Sequence, residues 1–435
     1  MRLARPLALT LALTTATAST VATAATPALA RASRAGGIGA RLELAPLLVE
    51  AKSHAPGLAE ARAEWEAALA RAKGEGQLPD PMLQARLMSI TRLMGPQVAV
   101  SQSIPLGGKL DLRRRIAERQ ADVARFAYLD AVNRVLGHVK TAYFDLYDAQ
   151  RAEATAERAR LVASRAVKIA TTRYAVGTGT QAEPARANVQ LAEIIHDTIT
   201  FHQQRETSAV KLLGLLDRPM IGLGDDAALG RVPDLSTRPF TRPIESVIAE
   251  ADAHNPAIAQ ARAELDVARL EAELAGKEAV PDLDTQLGVG QVYMDRGWET
   301  ALSGMVSINL PIGPARQRDE AAVAAASDTV KAREANLADR TLEVHTRLYE
   351  MMHHLVHLNA QVKLYDRGVL PQARQALASE MANFEVDRGS FDALSSAEAD
   401  LYHDERDEAM AIADYHKMLA ELETLTGQEV SSEAP

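Results

Sequence analysis

The chain has no cysteine. That excludes disulfides, thiolate metal sites, cysteine redox chemistry and a lipid anchor on an N-terminal cysteine. Aromatic residues are scarce, at 4% of a chain that is 47% hydrophobic. Much of the remaining apolar content is alanine, the best helix former. Few bulky side chains and many small ones favour long helices packed at short range over a thick globular core. No run approaches about 18 consecutive apolar residues, so no transmembrane helix is expected. Basic residues are also in deficit: 48 Lys and Arg stand against 58 Asp and Glu, a formal net charge of −10. An acidic surface argues against nucleic acid as a partner, because phosphates need basic patches.

Proline and glycine are nearly missing from two long stretches. Between Lys109 and Arg173 there is no proline, and Gly137 is the one glycine. Between Ala315 and Glu385 there are only Gly368 and Pro371. A helix of about 65 residues is roughly 100 Å long. No compact domain holds such a rod, so a coiled coil or bundle is expected. Tyr128, Val132, Val135, Val139, Ala142, Leu146 and Ala149 alternate steps of four and three, as do Val344, Leu348, Met351, Leu355, Leu358, Val362 and Tyr365. That alternation is the heptad seam of a left-handed coiled coil.

What the chain does contain is a duplication. His54-Ala55-Pro56 returns as His254-Asn255-Pro256, and Leu78-Pro79-Asp80 as Val280-Pro281-Asp282. Ser101 to Gly107 (SQSIPLG) returns as Ser307 to Gly313 (SINLPIG). Tyr174-Ala175-Val176 with Gly179-Thr180 returns as Phe384-Glu385-Val386 with Gly389-Ser390. Conserved order at a near-constant period means one structural unit occurring twice. Each unit reads as helix, two short strands, very long helix, tight turn, returning helix. The divisions are 31–216 for the first unit, 217–245 for a Gly/Pro-rich linker, 246–427 for the second and 428–435 for a tail. Arg2 and Arg5, the apolar run Pro6 to Leu13 and the small residues after it predict a signal peptide over 1–30, cleaved near 25–30.

The strand segments alternate apolar and polar residues over about 9–11 positions, the length of a tilted membrane-spanning strand. They are Met82 to Ile90, Gln97 to Ile104, Leu283 to Tyr293 and Trp298 to Asn309. A half-buried soluble sheet alternates in the same way. Export and the attached rods favour a membrane barrel. Trp298 and Tyr293 stand at strand ends, where interfacial aromatics belong. About eight strands are the usual minimum for closure, and lipid does not tolerate an open edge, so several chains are expected to share one barrel.

Val176-Gly177-Thr178-Gly179-Thr180 and Val386-Asp387-Arg388-Gly389-Ser390 are the turns that end the long helices. Glycine is expected to supply the left-handed residue, and Thr180 and Ser390 to cap the returning helices. Asp387 and Arg388 stand where the first copy has Gly177 and Thr178, and charge at a narrow end suits pairing between protomers. His353 and His357, four apart on one helical face, have metal-ligand spacing. The first copy has Phe144 and Asp148 there, and two ligands are too few for a site, so no metal or cofactor site is assigned. Gly107-Gly108-Lys109 lacks the remainder of a phosphate loop, and no nucleophile–base set is present, so no enzyme activity is expected.

The duplicated order, the Pro105–Gly107 turn leading into a long helix and the Tyr-x-x-Gly-x-Gly-Thr tip resemble the TolC-type outer-membrane efflux proteins over about residues 42–427. Ser101 to Lys109 is most similar to their heavy-metal branch. The resemblance implies a homotrimer with a shared 12-stranded β-barrel in the outer-membrane bilayer and a periplasmic α-barrel tunnel. It implies a passive duct for efflux, with heavy-metal cations as candidate cargo, working with a periplasmic membrane-fusion adaptor and an inner-membrane pump. Residues 174–183 and 384–392 match the tips that close the tunnel and meet the adaptor. Many members carry a lipidated N-terminal cysteine, which this chain lacks. The alternative is an exported soluble coiled-coil adaptor or scaffold.

Overall fold

The computed structural model describes residues 41–86, 94–218, 230–294, 297–310 and 312–428. The expected signal peptide, residues 87–90 of the first expected strand, most of the linker's first half and most of the C-terminal tail lie outside the described residues.

Each copy opens with a helix pair: α1 (Leu44–His54) and α2 (Pro56–Gly74), then α5 (Ile244–His254) and α6 (Pro256–Glu278). Pro56 and Pro256 begin their helices, where a missing N–H costs nothing. The copies differ in the residue before. Asn255 Oδ1 accepts from Ile258 N at 2.9 Å, and its amide donates to Leu425 O at 2.7 Å. Ala55 has no side chain to do either.

The long rods form as the spacing predicts. Helix α3 (Lys109–Val176) has 68 residues and α4 (Ala182–Leu215) returns beside it. In the second copy α7 (Pro314–Leu364), a π turn (Tyr365–Val369) and α8 (Leu370–Glu385) make the outgoing rod, and α9 (Phe391–Thr426) returns. Val139, Ala142, Leu146 and Ala149 are buried, as are Val344, Leu348, Met351, Leu355 and Val362. Tyr128, Val132 and Val135 are half-buried. Beyond Ala149 the buried stripe slips by one residue and continues through Ala152, Ala156, Ala159, Ala163, Ala166 and Ala170, with Thr155 buried beside it. A methyl seam lets neighbouring helices approach closely, since interaxial distance follows side-chain size at the contact.

The π turn has a sequence cause. The two seams superpose at an offset of 209, but the tips superpose at 210, so the second copy carries one extra residue between them. Leu370 N donates to Tyr365 O, five residues back. That wide turn absorbs one inserted residue without breaking the rod. It also stands just before Pro371, whose ring would strike the carbonyl four residues earlier in a regular helix.

The four strands form one antiparallel sheet in chain order: β1 (Met82–Arg86), β2 (Met94–Ile104), β3 (Leu283–Met294) and β4 (Gly297–Ile308). The β2–β3 pairing joins the two copies. Strand β2 begins before the expected Gln97, and the register shifts between Met94 and Gln97. Pro96 lies there, and it has no donor for a regular ladder. One face carries Leu83, Ala85, Val98, Val100, Leu287, Val289, Leu302 and Val306, all exposed or half-exposed. Tyr293 and Trp298 pair edge-to-face at 5.5 Å at the end of that face. The other face carries Gln84, Ser101 and Gln286, linked by side-chain hydrogen bonds of 3.4 Å. The outer edges of β1 and β4 have no partner among the described residues.

A polar joint fixes the sheet to the rods. Lys109 is buried, and its Nζ donates to Val280 O at 2.8 Å and to Asp282 Oδ1 at 2.9 Å. Asp282 Oδ1 also accepts from Leu106 N at 3.3 Å. Gly107 and Gly108, with φ of 75° and 80°, turn the chain from strand into helix. The matching residue in the second copy is Ala315, so this lysine clamp exists once per chain. Residues 230–243 run as an irregular strap over the rods. Gln150 Oε1 accepts from Val232 N at 3.0 Å, and Tyr415 donates to Arg238 O at 2.6 Å.

Deleting Gly368 should close the π turn into a regular helix and leave Pro371 inside it, at a cost of about 3 kcal/mol. Adding Pro371→Leu, the residue type at the matched Leu161, should restore the melting temperature. A single deletion that melts like the parent would show that the extra residue is not what widens the turn.

Candidate functional site: the two hairpin tips

The rods end in two turns of one design. In the first, Gly177 has φ 82°, Gly177 N donates to Tyr174 O at 3.1 Å, and Thr178 N donates to Arg173 O at 3.0 Å. In the second, Asp387 N donates to Phe384 O at 3.4 Å and Arg388 N to Asn383 O at 2.9 Å. These paired bonds are a Schellman stop, with one left-handed residue. The expectation of glycine there holds for Gly177 and fails for the second tip, where Asp387 adopts φ 68°. Asp tolerates the left-handed region better than most residues, and its carboxylate finds a partner there. Gly179 and Gly389 serve another purpose. A Cβ on either would lie 3.1 Å from the Cβ of Arg173 or Asn383, so each lets the turn close against its own helix.

The caps also differ between the copies. Ser390 Oγ accepts from Ala393 N at 3.2 Å and caps α9 as expected. Thr180 does not cap α4. That helix begins one residue later, at Ala182 after Gln181, with no side-chain cap, and Glu183 N donates instead to the Thr180 carbonyl at 3.3 Å. An exposed valine stands where each outgoing helix ends, Val176 at 68% and Val386 at 62% exposure.

One arginine joins the tips. Arg173 Nη2 lies 2.7 Å from Asp387 Oδ1, and Nη1 donates to Gly389 O at 3.2 Å. Its guanidinium sits 4.5 Å over the Phe384 ring. Phe384 is fully buried among Ala166, Ala170, Ala187, Phe391 and Leu394. Two more pairs repeat the polarity: Arg165 with Glu385, and Arg186 with Asp392 at 2.8 Å. In all three the arginine belongs to the first copy and the carboxylate to the second. Asp387 is thus engaged within its own chain, while Arg388 is exposed. The sequence singled out Asp387 and overlooked Arg173. The available signal was the contrast between Arg173 and Asn383 at matched positions.

The histidines do not form a site. His353, His354 and His357 are exposed, and no group of three or more candidate ligands that could hold a metal occurs among the described residues. At the matched positions Phe144 is buried, stacked on His416 at 5.2 Å, and Asp148 pairs with Arg406 at 3.3 Å.

Arg173→Ala should loosen both turns together, by about 1–3 kcal/mol, since it removes a half-exposed ion pair, a hydrogen bond to the Gly389 carbonyl and a contact with a buried ring. Asp387→Gly keeps the backbone conformation and removes only a half-exposed partner, so it should cost under about 1 kcal/mol. Limited proteolysis at residues 386–390 reads both. Equal cleavage of the two variants would deny Arg173 the central role.

The chain matches the outer membrane efflux protein family over residues 47–217 and 247–428, one match per copy. It is 26% identical over 331 residues to the cobalt-zinc-cadmium resistance protein CzcC of Cupriavidus metallidurans, covering 74% of each chain. Its fold is similar to that of the outer membrane protein VceC of Vibrio cholerae, with a TM-score of 0.73, 16% identity and coverage of 88% of this chain and 96% of that one. It is likewise similar to the open state of the Neisseria gonorrhoeae MtrE outer membrane channel, with a TM-score of 0.71, 18% identity and coverage of 90% and 92%. The duplicated rods, the four-stranded sheet and this family match agree: the chain is a member of the outer membrane efflux protein family, a channel-type protein of the outer membrane whose helices extend into the periplasm.

Proposed function

We propose that the protein is the passive exit duct of a tripartite efflux system. Three copies would pool their four strands into one 12-stranded barrel. The observation that carries this reading is the sheet: one face exposes Leu83, Val98, Val100, Leu287, Val289, Leu302 and Val306, the other carries Gln84, Ser101 and Gln286, and both outer edges are unpaired among the described residues. An exposed apolar face of this extent marks a membrane or protein contact, and open edges in lipid require partners. Joining β4 of one copy to β1 of the next meets both needs. An exported soluble adaptor, the other reading of the sequence, leaves that face without a purpose and does not belong to this family.

The duct needs no catalytic group. Its work is to span the membrane, extend the path by the length of the rods and open at the tips. An inner-membrane pump supplies energy, and a periplasmic adaptor meets the turns at 176–180 and 386–390. Val176 and Val386 support that assignment, since each copy exposes an apolar side chain where its outgoing helix meets the turn. The likeness to CzcC favours divalent metal cations as cargo over organic compounds. The passive walls impose little selection, so the pump sets most of the specificity.

Deleting the gene should lower tolerance to cobalt, zinc or cadmium, and the intact gene should restore it. Unchanged metal tolerance with lowered tolerance to organic compounds would overturn the metal cargo and keep the duct. A soluble periplasmic monomer on membrane fractionation would overturn the duct itself. Replacing Val176 and Val386 together with glutamate should abolish rescue while leaving the amount of membrane trimer unchanged. Full rescue would remove the tips from the adaptor contact.

A further inference from the structure

Glu398 is a buried carboxyl that the duct reading does not use. It lies on α9, just over two turns from Ser390, and is 3% exposed. Its Oε2 accepts one hydrogen bond, from Gln190 Nε2 on α4 at 3.1 Å. Its Oε1 is buried with no partner. Gln190 Oε1 in turn accepts from Ser395 Oγ at 2.9 Å. One amide of the first hairpin therefore holds two groups of the second.

The charged side chains around this contact are engaged elsewhere. On α3, Arg158 pairs with Glu405, Arg165 with Glu385 and Arg173 with Asp387. On α4, Arg186 pairs with Asp392, and Asp197 accepts from Tyr402. On α8, Arg374 pairs with Glu405. Glu183 on α4 lies nearer the tip, beside Gly179, and adds another carboxyl rather than a cation. Lys168 and Glu193 are exposed. With no cation beside it and a single donor, an ionised Glu398 lacks what a buried charge requires.

We propose that Glu398 makes the seating of α9 on α4 above the tips pH-sensitive: protonated, it keeps the side-chain bridge through Gln190 closed, and ionised, it draws in water and opens that bridge. Burial alone pushes its carboxyl up from 4.5 to about 7. The seated form therefore binds more protons than the open form. Seating is fully favoured below the ordinary carboxylate range, weakens as pH rises towards about 7, and changes little above that. Between pH 5 and pH 8 the opening constant should grow on the order of fifty- to a hundredfold.

The contacts belong to one chain, so the seating change stands apart from the duct reading; only a conductance readout rests on it. The experiment is amide hydrogen exchange on the full-length protein in detergent, over residues 391–402 and 186–197. Glu398→Gln is measured beside the parent at each pH, so that intrinsic exchange rates cancel. At pH 5 the two should protect these segments within severalfold. At pH 8 the parent should exchange at least tenfold faster there, and only there. Gln190→Leu removes the one donor and should carry the transition to higher pH, which keeps the test usable if Glu398→Gln folds poorly. Equal protection of parent and Glu398→Gln at pH 8 would overturn the proposal. If seating follows pH in exchange while bilayer conductance does not, the latch stands and its role in the duct fails.

Discussion

A helix of 68 residues cannot hold itself straight in water. Short helices are marginal alone, and most helical stability in proteins comes from burying one stripe. Every other part of this molecule follows from that need for lateral burial. The seam must recur along the full rod, so each rod has a returning helix beside it. The alanine run from Ala152 to Ala170 places the returning helix close, at little cost in side-chain entropy. The strands emerge where the rods end, and the joint between them is polar and specific, centred on buried Lys109. Rigid rods transmit position, so a joint at one end and a turn at the other are held in fixed relation.

Duplication supplied the parts, and divergence made them complementary. The arginines at the tips lie on the first copy and their carboxylates on the second. Lys109 has become Ala315, and Ala55 faces Asn255 across the repeat. Two identical hairpins would repel or ignore each other through like surfaces. Two unlike ones bind in a single arrangement. The fixed order of positive and negative sides also gives the pair of hairpins a direction.

Periodicity made the rods legible in the sequence, because a heptad is a local pattern that tertiary context here does not override. The strands were legible for the same reason, although Pro96 blurred where β2 begins. Arg173, Glu398 and the π turn were not legible. Arg173 reads as one more charge on a polar helix, and its partner lies in the other copy. Glu398 sits among Asp and Glu residues that are exposed or half-exposed, and only assembly reveals that Gln190 of α4 meets it. The left-handed Asp387 was hidden by a glycine two residues on, whose real purpose is close approach. In each case the deciding neighbour is remote in sequence, and no local pattern encodes it.

The π turn bears on how one tip is held in register with the other. One additional α-helical residue would advance a rod by about 1.5 Å and swing its face by about 100°. A swing of that size would point Phe384 away from Ala166 and Ala170 and carry Asp387 out of reach of Arg173. By taking up the residue in a single wide turn, the second rod keeps Phe384 on Ala166 and Ala170 and Asp387 on Arg173. The register of one tip on the other is thus decided well back along the rod, by a single residue that neither tip contains.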